Sequence, residues 1–156
     1  MFSQTSEYAL RVIVYLAGCD GEPATNQVIA AGTLVPRGYL AKVLQTLSRS
    51  GMVKSQRGLH GGTILARDPK GLTLFDVVQA VDPIRRIESC PLALLAHGKQ
   101  LCPLHTRLDQ AIGGIEKVLR NSTIADLMES KSKHQPMTLC EPPPNHPKRK
   151  PNRTAR

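Results

Sequence analysis

The sequence predicts a mostly α-helical protein with one small β-hairpin, and three stretches carry that prediction. Thr25 to Ser50 reads as a short helix, a tight turn and a longer helix. In the longer one Leu40, Val43, Leu44 and Leu47 form an apolar stripe at helical spacing. Met52-Val53-Lys54-Ser55 and Thr63-Ile64-Leu65-Ala66 are short β-compatible runs joined by Gln56-Arg57-Gly58-Leu59-His60-Gly61-Gly62, a glycine-rich turn. From Pro103 to about Asn121, Leu104, Leu108, Ala111-Ile112, Ile115 and Val118-Leu119 recur at spacings of three and four. Helix, turn, helix and hairpin in that order make a winged helix-turn-helix. The last stretch adds a long C-terminal helix suited to dimerisation.

Each element has its own local signals. Ser3 to Gly18 is the first helix, capped by Ser3 or Thr5, with Tyr8-Ala9, Val12-Ile13 and Leu16 inward. Cys19 to Pro23 is a turn. Thr25 to Gly32 is the second helix, with Val28, Ile29 and Ala31 facing inward. Pro36 suits the first turn of the third helix and Gly51 the position after its end. Asp68 to Gly71 turns the chain, and Thr73 caps a helix through Val81 that Asp82-Pro83 ends. Gly113-Gly114 costs the long helix about 2 kcal/mol in propensity, so either something approaches closely there or the helix kinks. Ser122 to Met128 is a last short helix. The chain divides into a DNA-binding region (1–82), a sensor loop with the dimerisation helix (83–130), and a tail (131–156).

A net charge of +9 over 156 residues favours a polyanionic partner, but the charge is uneven. Residues 131–156 hold seven Lys/Arg against Glu141 alone, a balance of +6; residues 1–130 hold fourteen against eleven, +3. The DNA argument therefore rests on where charges sit. In the third helix the edge opposite the apolar stripe carries Arg37, Tyr39, Lys42, Gln45 and Arg49, with no carboxylate among them. A basic second helix of this kind lies in the major groove of duplex DNA. Arg57, at the start of the glycine-rich turn, is placed against the minor groove, where narrow A/T-rich stretches concentrate negative potential. Ser55, Gln56 and His60 are phosphate contacts. Aromatic content of 3% is too low for a stacking platform that binds single strands.

No run approaches the length of a membrane-spanning helix. Leu16-Ala17-Gly18-Cys19 looks like a lipoprotein cleavage site, but Glu7 precedes the apolar run and Arg11 interrupts it, so Cys19 reads as a helix-end cysteine. A cytoplasmic protein without a disulfide framework is expected. No nucleophile elbow, phosphate loop or carboxylate pair is present, which leaves no catalytic constellation.

Pro36-Arg37-Gly38-Tyr39-Leu40-Ala41-Lys42-Val43-Leu44, then Leu47, Gly51-Met52-Val53-Lys54-Ser55, Arg57-Gly58 and Gly61-Gly62 resemble the signature of the BadM/Rrf-type (Rrf-two) family of bacterial transcriptional regulators, the IscR/NsrR-like proteins. Ser3-Glu7-Tyr8-Ala9-Leu10-Arg11, Leu72-Thr73-Leu74 and Val77-Val78-Gln79-Ala80-Val81 are similar to that family's first and post-wing helices. The resemblance spans roughly residues 1–130. It implies a homodimer on a partly palindromic double-stranded operator, with repression the expected sense. By position it assigns Tyr39 and Lys42 to the recognition helix and Arg57 to the minor groove. Thr63 departs from the pattern, which usually has an aromatic residue after Gly-Gly.

Cys-Pro-Leu occurs twice, at Cys90 and Cys102, each cysteine standing at the N-cap of a helix that begins with proline. The positive end of a helix favours thiolate, the form that binds metal or reacts with oxidants. His97 and His105 complete the spacing Cys-x-x-x-x-x-x-His-x-x-x-x-Cys-x-x-His, and His105 shares a helix face with Cys102. The set could hold a Rieske-like two-iron cluster or a zinc ion, although it matches no standard zinc finger. A thiol switch and a vestigial, metal-free site are the other readings. The resemblance implies an iron–sulfur cluster here: Cys90 and Cys102 match the first and third of three ligating cysteines, His105 a histidine ligand, and His97 stands near the missing middle cysteine.

Beyond Lys131, Pro136, Pro142-Pro143-Pro144, Pro147 and Pro151 alternate with Lys148-Arg149-Lys150, Arg153 and Arg156, the composition of a disordered basic tail. Cys140 in it is read as incidental. The competing class is a winged-helix interaction module or scaffold with a Cys/His metal site and no DNA partner. An enzyme built on a zinc at Cys102 is a third.

Overall fold

The computed structural model describes residues 2–58, 61–90 and 100–129. Their elements are α1 (Gln4–Gly18), α2 (Asn26–Thr33), α3 (Arg37–Arg49), β1 (Val53–Gln56), β2 (Gly62–Leu65), α4 (Leu74–Val81), α5 (Pro103–Arg120) and α6 (Ile124–Glu129). His60, His97, Cys140, the helix expected after Cys90 and the tail 131–156 lie outside the described residues.

The core is built around α1. Ser3 caps it by accepting the N–H of Ser6 at 3.2 Å, and Ala9, Val12 and Ile13 are wholly buried. It packs on α2, α3, α4, α6 and β2, so one amphipathic helix sets the position of almost every other element. Cys19 caps its C-terminal end and is buried; among the described residues the free thiols are Cys90 and Cys102.

In α2 the Thr25 hydroxyl accepts the Val28 N–H at 3.3 Å. Its buried residues are Ile29 and Thr33, whereas Ala31 is exposed and Val28 only half-buried, which corrects the expected inner face. The helix runs one residue further than expected. Thr33 thereby donates its hydroxyl to the Ile29 carbonyl at 2.7 Å, and Gly32 lies flat against the Tyr15 ring. The four apolar residues of the α3 stripe are all buried, each contributing roughly 1.5–3 kcal/mol.

The wing is a two-stranded antiparallel hairpin with Val53 opposite Leu65 and Gln56 opposite Gly62. Ala24 extends it: its N–H donates to the Thr63 carbonyl at 3.0 Å, and the Thr63 N–H returns to the Ala24 carbonyl at 2.8 Å. Any side chain at position 62 would collide with that backbone, its Cβ standing 2.6 Å from the Ala24 oxygen. Gly58, at φ +117, supplies the left-handed bend where the hairpin turns.

Thr73 and Asp76 form a reciprocal capping box at the start of α4, and Thr123 and Asp126 repeat it at α6. The two starts are bridged: Leu74 N–H donates to the Ser122 carbonyl and Ile124 N–H to the Leu72 carbonyl, both at 2.9 Å. Ile124 is wholly buried in the same core as α1, so the C-terminal end of the chain is stitched back into the helix-turn-helix body.

The turn between α2 and α3 rests on Leu34, a non-glycine residue at φ +56 with 79% of its surface exposed. Left-handed backbone costs an L-residue about 1–2 kcal/mol, while the extra freedom of unfolded glycine takes back part of the gain from relieving it. Leu34→Gly is expected to raise unfolding stability by about 0.5–1 kcal/mol in urea titrations. A drop in stability would show that the leucine side chain contributes more than its backbone costs.

Candidate DNA interface and metal centre

Arg37, Tyr39, Lys42, Gln45 and Arg49 are all exposed on α3, and Lys54, Ser55, Gln56 and Arg57 are exposed along the wing. The two surfaces are joined directly, the Met52 N–H bonding the Leu47 carbonyl at 2.9 Å. Among the described residues no carboxylate pairs with Arg37, Lys42, Arg49, Lys54 or Arg57. These cations are therefore uncompensated by ion pairs, the condition for neutralising phosphates. Tyr39 is only half exposed, because its ring stands edge-on to Tyr8 with centroids 5.9 Å apart. Arg11 lies 5.8 Å from the Tyr8 ring and is itself paired with Glu7. Tyr8, expected as a core residue, thus also supports Tyr39 from the side, a contact that helical spacing does not reveal.

Cys102 is the N-cap of α5, with Pro103 as the first helical residue and no side-chain cap hydrogen bond, so its sulfur is free for other partners. One turn in, His105 directs Nδ1 to Cys102 Sγ at 3.1 Å and to Cys90 Sγ at 3.6 Å. The two sulfurs and the imidazole nitrogen all lie within 4.8 Å of one another. Bond lengths of about 2.3 Å to sulfur and 2.0 Å to nitrogen set the donors of one tetrahedral ion about 3.5–3.8 Å apart. The soft donor set and its convergence thus fit a thiolate-bound metal centre. Three of the four residues expected to assemble are brought together, and the fourth, His97, is outside the described residues.

Cys90 ends an irregular segment, residues 83–90, that crosses from α4 to α5. Its attachment was not foreseen. Asp109 on α5 accepts Arg86 Nε at 2.7 Å, Arg86 Nη2 at 2.5 Å and the Ile87 N–H at 2.9 Å. Glu116 lies 3.9 Å from Arg86 and 2.7 Å from Arg120, whose guanidinium stacks 3.5 Å from the centre of the Phe75 ring on α4. Helix α5 is continuous through Gly113-Gly114. A Cβ on Gly113 would stand 3.0 Å from Arg86 Nη1, so this glycine lets the arginine lie against the helix. Of the two outcomes open for this glycine pair, close approach and a kink, the first is found.

The apolar residues of α5 divide between two edges. Leu119 is buried against Phe75 and Val78, with Ile112 half-buried, so this part of the expected dimer seam covers the chain's own core. Leu104, Leu108, Ala111, Ile115 and Val118 are exposed, Leu104 at 63% and Val118 at 65%. Their steps of four, three, four and three are those of a coiled-coil seam. Phe2 joins Ala111, Gly114, Ile115, Val118 and Leu119 around an open apolar hollow of about 440 Å³.

Hydrogen bonds from Arg86 and then from the Ile87 N–H hold the Asp109 carboxyl down at about 2. A depressed folded-state value means that this attachment contributes stability throughout the range above ordinary carboxylates and loses it as pH falls toward 2. A carboxyl titration followed by NMR should give Asp109 a midpoint near 2, moving upward in Arg86→Gln. A wild-type midpoint near the ordinary 3.8 would mean the pair does not form in solution.

The sequence profile of the Rrf2 family, described as iron-dependent transcriptional regulators, matches residues 2–130. The HTH-type transcriptional regulator NsrR of Geobacillus kaustophilus is 32% identical over 133 residues, 81% of this chain and 88% of that protein. Among solved structures, CymR, the global cysteine regulator of B. subtilis, superposes with a TM-score of 0.67 at 25% identity, covering 81% of this chain and 95% of that one. IscR of T. potens superposes at 0.69 and 24% identity, over 83% and 86% of the two chains, a likeness of fold. Among the described residues no helix is long and apolar enough to cross a membrane. With its helix-turn-helix, its wing and four-fifths of its length accounted for in this way, the chain belongs to the Rrf2 family of winged-helix, DNA-binding transcriptional regulators.

Proposed function

We propose that this regulator is a cytoplasmic repressor that binds a partly palindromic operator as a homodimer and responds to an iron-containing group, cluster or ion, at Cys90, Cys102 and His105. The observation that carries the DNA reading is the exposed, carboxylate-free edge of α3 beside an equally exposed Arg57. Lys42, Gln45 and Arg49 lie along the outer edge of α3 and read base edges in the major groove. Arg37 and Tyr39 flank them and position the helix on the backbone, with Ser55, Gln56 and His60 as further phosphate contacts. Arg57 enters the minor groove. A second copy covers the exposed α5 edge, which supplies the two heads that a palindrome requires.

The metal reading is supported by the three convergent donors and by the description of the family as iron-dependent. His97 is the candidate for a further ligand. A group bound there supplies a redox- or ligand-sensitive cross-link between segment 83–90 and α5. Zinc is the second reading, favoured by donors that all lie within the reach of a single ion. Cys102 and His105 sit in the first turn of α5, and Cys90 ends the segment descending from α4. Separating their side chains shifts the start of α5, and with it the spacing of the two heads.

Two measurements test this. Binding to duplex DNA selected from a random pool should weaken steeply with salt, and Arg57→Ala should lose about 10-fold for the preferred sequence, as removal of one specific contact does. Undiminished affinity in Arg57→Ala removes the wing from the interface. Protein purified without oxygen should carry iron, with sulfide if the group is a cluster, and Cys90→Ala should lose it. A wild-type protein without metal that still binds its preferred duplex contradicts the metal reading and leaves the DNA reading standing.

A further inference from the structure

We propose that Asp109 is a positioning residue for the Cys90–Cys102–His105 site, holding the main chain of segment 83–90 on α5 so that the Cys90 sulfur meets the other two donors. The inference rests on the metal reading above, and its geometry can be tested apart from it. Two of the three donors need no help: Cys102 and His105 are three residues apart on one helix start, and helix geometry brings them together. Cys90 is different. Among the described residues it belongs to a segment, 83–90, without helix or strand, twelve residues before Cys102 in the chain.

That segment is pinned at two places. Near its start the Ile84 N–H donates to Gln79 Oε1 at 3.0 Å, and the Ile84 side chain packs on the Phe75, Val78 and Leu119 cluster. Near its end Asp109 takes all three hydrogen bonds described above, one of them from the main chain of Ile87. Only Glu88 and Ser89 separate that main-chain anchor from Cys90. Asp109 is also one helical turn, about 6 Å, beyond His105 on the same face of α5. Anchor and ligand therefore share one rigid surface, and the segment is clamped just before it delivers its cysteine.

Two features argue against an incidental surface pair. Such pairs contribute little because two long side chains must be ordered for one contact. Here a short carboxylate, only 18% exposed, accepts from a peptide N–H as well as from the Nε–Nη2 edge of a guanidinium. Moreover, Gly113 leaves open the space that Arg86 occupies, where a Cβ would crowd all three of its terminal atoms. Metal sites are commonly tuned in this way by groups that hold the ligands without touching the ion.

The test uses the full-length protein stripped of metal without oxygen, and reads how close the two sulfurs are held. In glutathione redox buffers two protein thiols and one glutathione disulfide give a Cys90–Cys102 disulfide and two glutathiones. The equilibrium, followed by mass of the cross-linked peptide, measures the effective concentration of one thiol at the other. Asp109→Ala should lower it at least 10-fold, and Arg86→Gln, which keeps the Ile87 bond, by a smaller factor. Cobalt(II) affinity, read from its thiolate absorbance, should fall about 10- to 100-fold in Asp109→Ala.

A merely structural role predicts otherwise. Alanine favours helix, so the variant would change its melting temperature while the thiol equilibrium of the folded protein stayed put. A wild-type effective concentration in Asp109→Ala overturns the proposal. Should that variant fail to fold, Arg86→Gln, at a half-exposed side chain, decides in its place by the same criterion. A wild-type protein that forms the disulfide readily yet takes up neither cobalt nor iron overturns the metal reading alone.

Discussion

Helix α5 has two apolar edges, and its own chain covers one of them. Leu119 sinks between Phe75 and Val78, which fixes the helix to the body. Leu104, Leu108, Ala111, Ile115 and Val118 face outward along the other side. Each large side chain there is 45–65% exposed and forgoes a corresponding part of the roughly 1.5–3 kcal/mol of full burial, which association with a second copy would recover. The same helix begins with Cys102 and His105 and carries Asp109 and Glu116 in its middle. Whatever happens at its start therefore happens on the element that pairs the two copies in the proposed dimer.

A shift of α5 has a physical route to the DNA-reading surface. Glu116 stands between Arg86 and Arg120, and Arg120 stacks on Phe75 of α4. Crossed backbone bonds between the capping boxes tie the end of α5 to the start of α4. Helix α4 packs on α1, and α1 supports α2, α3 and the wing strand β2. Side chains that are wholly buried have little room to repack, so the head moves as a body. Tyr8 and Tyr39 link α1 to the start of the α3 surface in the same manner.

Features written in local spacing were legible from the residues alone. Ser3 and Thr73 cap the helices they were expected to cap, the α3 stripe is buried, each strand of the hairpin lies one residue from its expected bounds, and Cys102 heads α5 with His105 beside it. Ala31 was misjudged because helical spacing alone did not show that α2 continues to Thr33 and turns Ile29, Gly32 and Thr33 toward α1. Helical spacing also could not say that α5 has two apolar edges rather than one seam. The Asp109 anchor joins residues 22 and 23 apart, and no local pattern announces such a contact. Gly113 was its one visible trace, since a glycine that costs a helix stability implies a close neighbour. The roles proposed for Arg37, Lys42, Gln45, Arg49 and Arg57 follow from exposure and from hydrogen-bonding or charged side chains.

The central claim is that the outward edge of α5 is covered by a second copy, so that two basic heads face one duplex. Sedimentation equilibrium at the concentrations where the protein binds DNA tests it most directly. The account predicts about 34 kDa, twice the 17.0 kDa of one chain, and a return to 17.0 kDa when Val118→Glu puts a charge in the seam. A wild-type protein that sediments at 17.0 kDa while binding a palindromic duplex would contradict it.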